Sequence, residues 1–136
     1  QSCRVNHARC CVGNGRFLPT RLIEVQPGEP PTACLHTTDP RDRGLLYTTL
    51  SHCWGGATEI PQLTEKTYCS FYSQIPYSNL PQNFKDAIDI TLYLGLHHLW
   101  IDSLCIIQDS TDDWATEAAK MAPIYENSTC TIVAAS

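Results

Sequence analysis

Residues 80–107 read LPQNFKDAIDITLYLGLHHLWIDSLCII, and the change of period inside this stretch decides the fold. Phe84, Ala87, Ile88, Thr91 and Leu92 recur at helical spacing, Ser78 or Asn79 can cap the start, and Gly95 ends the run. From Leu96 to Ile107 the chain becomes almost continuously apolar, the pattern of a central strand covered on both faces. Asp102 is the anomaly in that run, because an unpaired carboxylate would be costly to bury there.

Upstream, YTTLSHC (47–53) alternates as a strand and ends on Trp54, Gly55 and Gly56. LPTRLIEV (18–25) is another strand, followed by a Pro/Gly/Thr/Asp-rich connection, 26–44, with a short strand around 33–36. The long loop after Trp54 holds a short helix beyond Thr64. Downstream, Ser110-Thr111-Asp112-Asp113 opens a helix with Trp114, Ala118, Met121 and Tyr125 on one face. Pro123 should weaken its last turn, Asn127 stops it, and CTIVAA (130–135) reads as a buried strand.

Strand, helix, strand, helix, strand predicts an α/β fold, a mostly parallel sheet flanked by helices, since parallel neighbours need right-handed crossovers. An irregular Cys/His-containing segment precedes it. We divide the chain into an N-terminal cap and strand (1–44) and a core (45–136), within one structural domain.

Composition narrows the function. Nine basic against fourteen acidic residues, with no Lys/Arg cluster, argue against nucleic acid as a partner. No long apolar run argues for a membrane span, and residues 1–20 lack a signal-peptide pattern; the start at Gln1 suggests that something upstream was removed. The cysteine count, eight, is even, as in a disulfide framework, yet Cys53, Cys105 and Cys130 lie in or beside apolar runs and are read as core thiols. Asn127-Ser128-Thr129 matches a glycosylation acceptor, which matters only in a secreted chain.

In parallel α/β sheets ligands bind outside the carboxyl ends of the strands. Ser51, His52, Trp54 and Gly55 fall at such an end and are the candidate substrate-binding residues; as a bland alternative, Trp54 folds onto the core beside a glycine turn. Asp102 is the first candidate catalytic acid and Glu117 the second, although a solvated helix carboxylate is the ordinary explanation of Glu117. Ser51 and His52 point to opposite faces of a strand and cannot form a dyad. Cys3, His7, Cys10 and Cys11, with Cys34 and His36 as completing ligands, offer zinc donors without a standard spacing. A packed cap is the preferred reading, so no resident metal or cofactor is expected.

LPTRLIEV, YTTLSHCWGG and residues 80–136, above all LWIDSLCIIQD and the W-x2-E-x3-M-x3-Y pattern at Trp114, Glu117, Met121 and Tyr125, resemble the fungal heterokaryon incompatibility (HET) domain family. The resemblance implies a cytoplasmic effector of non-self recognition and programmed cell death, with a flavodoxin-like, Toll/interleukin-receptor (TIR)-like sheet. It implies NAD as a substrate, cleaved at the nicotinamide–ribose bond as by some TIR domains. It equally implies a non-enzymatic module that associates with copies of itself or with other HET, TIR-like or incompatibility-locus proteins. Family members continue into a further helix bearing a Trp and a Gln-Glu pair, which aligns with the segment carrying the TIR catalytic Glu. This chain stops at Ser136, so the expectation is a cut chain with an exposed sheet edge near Ala134 and Ala135.

Overall fold

The computed structural model describes residues 17–42, 44–51 and 62–133. The alternating segments on either side of the Pro/Gly turn at 27–31 form an antiparallel hairpin, β1 (Arg21–Gln26) and β2 (Thr32–Thr37). Three shorter strands follow: β3 (Thr48–Ser51), β4 (His98–Trp100) and β5 (Cys130–Val133). β3 pairs in parallel with both β4 and β5, and β1 pairs antiparallel with β4, so the order is β2-β1-β4-β3-β5. The α/β expectation holds, but the sheet is mixed rather than mostly parallel, because the N-terminal hairpin joins it edge to edge.

The helices are α1 (Tyr68–Ser73), α2 (Gln82–Tyr93), α3 (Asp102–Cys105), α4 (Thr111–Ala118) and α5 (Met121–Glu126), with 3-10 turns at Pro40–Asp42 and Tyr77–Asn79. In α2 the expected face is buried through Phe84, Ala87, Ile88 and Thr91. Gly95 follows the helix at φ +81°, a conformation that glycine adopts without a Cβ penalty. The cap is Pro81 rather than Ser78 or Asn79: Asn79 is spent in the preceding 3-10 turn, and proline fits a helix start because its missing N–H has no partner there.

Three further expectations are corrected. The apolar run 96–107 is not one strand: β4 ends at Trp100 and the chain makes a helical turn, α3, that still buries Ser103, Leu104 and Cys105. A short apolar run does not distinguish a covered strand from a buried turn. The helix through Trp114 and Tyr125 is two helices, and Pro123 lies in the first turn of α5, where it interrupts no hydrogen bond, instead of weakening a last turn. β5 is an edge strand with its side chains half-exposed and Val133 open to solvent, not a buried strand. Ala134 and Ala135 lie outside the described residues.

The two crossovers cover opposite faces. Thr48 and Thr91 join hydroxyls at 2.7 Å, which sets α2 on one face of β3. On the other, the Tyr47 hydroxyl donates to the Ile124 carbonyl of α5 at 2.7 Å, and Trp100, paired with Thr49, meets the Tyr125 ring edge-on at 5.7 Å. Leu22, Ile23, Val25, Leu50, Phe84, Ile88, Leu99, Trp100 and Ile124 form the core between these layers. Among the described residues no helix is long and apolar enough to cross a membrane.

The Ile124 carbonyl is near the end of a short helix and takes its partner from the Tyr47 side chain. Tyr47→Phe should therefore lower the unfolding free energy by about 1–3 kcal/mol. Urea titration would show this as a lower midpoint at unchanged slope.

Candidate functional site at the carboxyl edge of the sheet

β3 ends at Ser51, a half-exposed residue paired with Val133 of β5. β4 ends at Trp100; Ile101 remains extended, and Asp102 opens α3 just beyond the strand end. Since β3 and β4 are parallel neighbours, Ser51 and Asp102 belong to the same edge of the sheet. His52, Trp54 and Gly55, with Cys53 and Gly56, lie outside the described residues.

Because β1 runs antiparallel to β4, with Ile23 opposite Leu99, its first residue, Arg21, is delivered to this same edge. Arg21 is buried and grips Asp113 of α4 with two bonds, 2.8 Å from Nη2 to Oδ1 and 3.1 Å from Nη1 to Oδ2. Nη1 also donates to the Cys105 carbonyl at 2.9 Å, and the guanidinium lies 5.7 Å from the Tyr68 ring centre. Burial works against the charge on Arg21, but the hydrogen bond and charge of Asp113 outweigh it and hold its pKa above the ordinary value. Burial likewise works against the Asp113 carboxylate, and the bonds from Arg21 and the Ile107 N–H pull its pKa below the ordinary value.

These contacts fix the loop that carries Asp102. Arg21 holds Cys105, the Asp113 carboxylate holds the Ile107 N–H at 2.8 Å, and Gln108 Nε2 donates to the carbonyls of Asp102 and Ile106 at 3.0 and 2.8 Å. Leu63 closes the other side: its N–H donates to Ser103 O and its carbonyl accepts from Gln108 N, both at 2.8 Å. Ser110 caps α4 by accepting from the Asp113 N–H, as the sequence predicted, while the Asp113 side chain turns away to Arg21.

The two candidate acids have different surroundings. Asp102 is half-buried, and its charge adds to burial in pushing the Tyr125 hydroxyl up to about 12. Glu117 is buried, 3% exposed, so the solvated helix carboxylate of the ordinary reading is corrected. Its Oε2 accepts from Thr20 Oγ1 at 2.9 Å and lies 3.5 Å from Lys120 Nζ, while Oε1 has no hydrogen-bond partner among the described residues. Ala118 is exposed; the buried side of α4 runs through Asp113 and Glu117 and continues to Ile124. Burial pushes the Cys105 thiol up to about 12, which keeps it protonated and makes it a core group rather than a nucleophile.

Among the described residues no disulfide forms, and no three of His, Cys, Asp or Glu converge to hold a metal ion. Cys3, His7, Cys10 and Cys11 lie outside the described residues. The part of the site missed from sequence is Arg21 with Asp113. A signal existed: Arg21 falls in the buried phase of its strand with Ile23 and Val25, where an arginine needs a partner.

The chain is thus an α/β domain with a five-stranded mixed sheet, and Ser51 and Asp102 stand at the carboxyl ends of adjacent parallel strands. The family model described as Heterokaryon incompatibility protein (HET) matches residues 47–136, and the chain belongs to that family, which implies a role in heterokaryon incompatibility. No curated protein and no solved structure matches the chain.

Breaking the buried pair from one side should cost far more than removing both partners. Arg21→Met should destabilise the fold by about 3–5 kcal/mol, whereas adding Asp113→Leu should recover part of that loss. The pH dependence follows from Asp113. Its folded pKa lies below the unfolded value of about 3.9, so its contribution is complete above about pH 5 and is lost as the pH falls below about 4. Acid titration of stability should thus flatten in the double variant relative to the wild type.

Proposed function

We propose that the chain is an effector domain of heterokaryon incompatibility that cleaves NAD at the nicotinamide–ribose bond, using the carboxyl edge of a TIR-like sheet. The observation that carries this reading is the placement of Asp102 beside the end of β3, on a loop clamped by Arg21, Gln108 and Asp113. In the parallel part of the sheet, β3 lies between β4 and β5, and the crossovers on either side of it cover opposite faces. Strand ends where crossovers diverge in this way are where nucleotides bind in such sheets.

The chemistry asks for little else. The bond from the ribose anomeric carbon to the nicotinamide nitrogen breaks, its electron pair leaves with nicotinamide, and water adds to the anomeric carbon to give ADP-ribose and a proton. The ribosyl centre passes through an oxocarbenium-like state that an ionised carboxylate stabilises. Asp102 takes this role, Ser51, His52, Trp54 and Gly55 surround the substrate, and Glu117 is the second acid. In this reading the domain works in the cytoplasm.

A second reading, a non-enzymatic module that associates with its own kind or with other HET or TIR-like proteins, is favoured by one feature. Ile90, Tyr93 and Leu94 near the end of α2 are exposed at helical spacing and make a small apolar patch.

Purified chain incubated with NAD should release nicotinamide, and Asp102→Asn should slow the release by about 10²–10³-fold while leaving the melting temperature near that of the wild type. No release by the wild-type chain would remove the enzymatic reading. Light scattering on Tyr93→Asp would then test association: a complex lost in that variant supports the module.

A further inference from the structure

Because β1 ends where β4 begins, the turn of the N-terminal hairpin lies at the opposite edge of the sheet from Asp102. A cavity of about 370 Å³ opens beside that turn, lined by Pro30, Pro31 and Thr32 of the hairpin and by Gln74, Pro76 and Tyr77 of the chain after α1. Its size falls within the range of small-ligand sites. Both walls are set before any ligand arrives. Prolines restrict the backbone of each. The Ile75 N–H donates to the Ala33 carbonyl at 2.7 Å, and the Ile75 side chain is buried in the core. Tyr77 itself begins a 3-10 turn that the Leu80 N–H closes on the Tyr77 carbonyl at 3.1 Å.

The surroundings of Tyr77 indicate the ligand. Lys85 of α2 holds its ammonium 5.4 Å from the centre of the Tyr77 ring, so the ring already serves as a platform for a cation. Two carboxylates of the same helix act on Tyr77 as well: burial first, then the charges of Asp89 and Asp86, push its pKa up. Gln82 Nε2 donates to Asp86 Oδ1 at 2.9 Å and orients that carboxylate. Glu29 adjoins Pro30, so three acids stand against one lysine around the cavity, in a chain of net charge -5. The lining residues Thr32 and Gln74 carry hydroxyl and amide oxygens that accept hydrogen bonds. A guanidinium answers both features, because it stacks flat on an aromatic ring and donates from five N–H groups, whereas an ammonium is more strongly hydrated and offers no flat face. The acids lead onward along α2: Ile90 and Tyr93 are exposed and lie one turn beyond Asp86 and Asp89. A strip of acidic and then apolar side chains beside a small cavity suits an extended polypeptide better than a free small molecule.

We propose that this cavity receives an arginine side chain from a basic segment of a partner protein, with the guanidinium on the Tyr77 ring and the rest of the segment running along Asp89 and Tyr93. Lys85 stands over the ring in the free domain and gives way as the arginine enters. The site is independent of the chemistry at Asp102 and requires no association of the chain with itself, so its test is separate from both readings of the function.

Titrating the isotope-labelled full chain with a capped Gly-Arg-Gly peptide should produce saturable NMR shifts at the Tyr77 ring and the Gln74 side-chain amide. The same peptide with uncharged citrulline in place of arginine should bind about 10-fold more weakly, the loss expected for charge-assisted bonds. Tyr77→Ala should weaken arginine binding by about 5-fold. Lys85→Met should tighten it by about 3-fold, because a like charge and a competitor leave together, while Lys66→Met makes the same change of net charge and should have no effect. Four results would each overturn the proposal: equal binding of the citrulline peptide, no gain in Lys85→Met, free arginine binding as tightly as the peptide, or concentration-dependent shifts at Tyr77 and Gln74 with no peptide present, which would make a second copy the occupant. A gain of affinity cannot come from misfolding, so the Lys85 variant decides the question even if Tyr77→Ala disturbs the turn.

Discussion

The bidentate pair between Arg21 and Asp113 is the contact on which the carboxyl edge depends. It joins the first strand to the helix that follows the Asp102 loop, and through Cys105 and Ile107 it holds the stretch of chain that follows Asp102. A buried ion pair is a weak source of stability, because desolvation cancels much of the attraction. Its effect here is geometric. Two guanidinium nitrogens and two carboxylate oxygens satisfy one another in a single arrangement, and the remaining bonds go to backbone groups that a loop would otherwise leave unpaired. The segment after the short helical turn α3 thus acquires one conformation with no further regular element to impose it.

How far the fold could be read depended on how much of each signal was local. The helix ending at Gly95 was legible, since both its apolar spacing and its glycine stop are set by nearby residues. The strand at Thr48 and the start of α4 at Ser110 were legible for the same reason. The run from Leu96 to Ile107 was not, because apolar content records burial and says nothing of the backbone that achieves it. Pro123 was read as a flaw in one helix, whereas at the start of a second helix it is neutral. The choice between the two depends on where α4 ends, which packing decides.

The site divided in the same way. Asp102 stood out because a carboxylate interrupts an apolar run, and the structure puts it at the strand end, where such a group can serve a ligand. Glu117 gave no such signal: on a polar helix surface a carboxylate looks ordinary, and only the fold shows that Thr20 and Lys120 enclose it. Arg21 and Asp113 are ninety-two positions apart, and each has a routine local explanation, one as a strand charge and the other as a helix-start acid. The burial of Arg21 in its strand signals the need for a partner, but only topology decides that the partner is Asp113.

Topology also explains why an N-terminal hairpin matters to an edge built by later strands. A strand added antiparallel to β4 begins where β4 ends, so Thr20 and Arg21 reach the carboxyl edge although they precede the residues that the family model matches. Their partners, Cys105, Asp113 and Glu117, all lie within the matched region. A parallel strand in the same place would have brought its last residue there instead, and Arg21 would have been left at the opposite end of the sheet. The direction of β1 therefore decides whether the family core meets Thr20 and Arg21 at its edge or leaves Asp113 without its ion-pair partner.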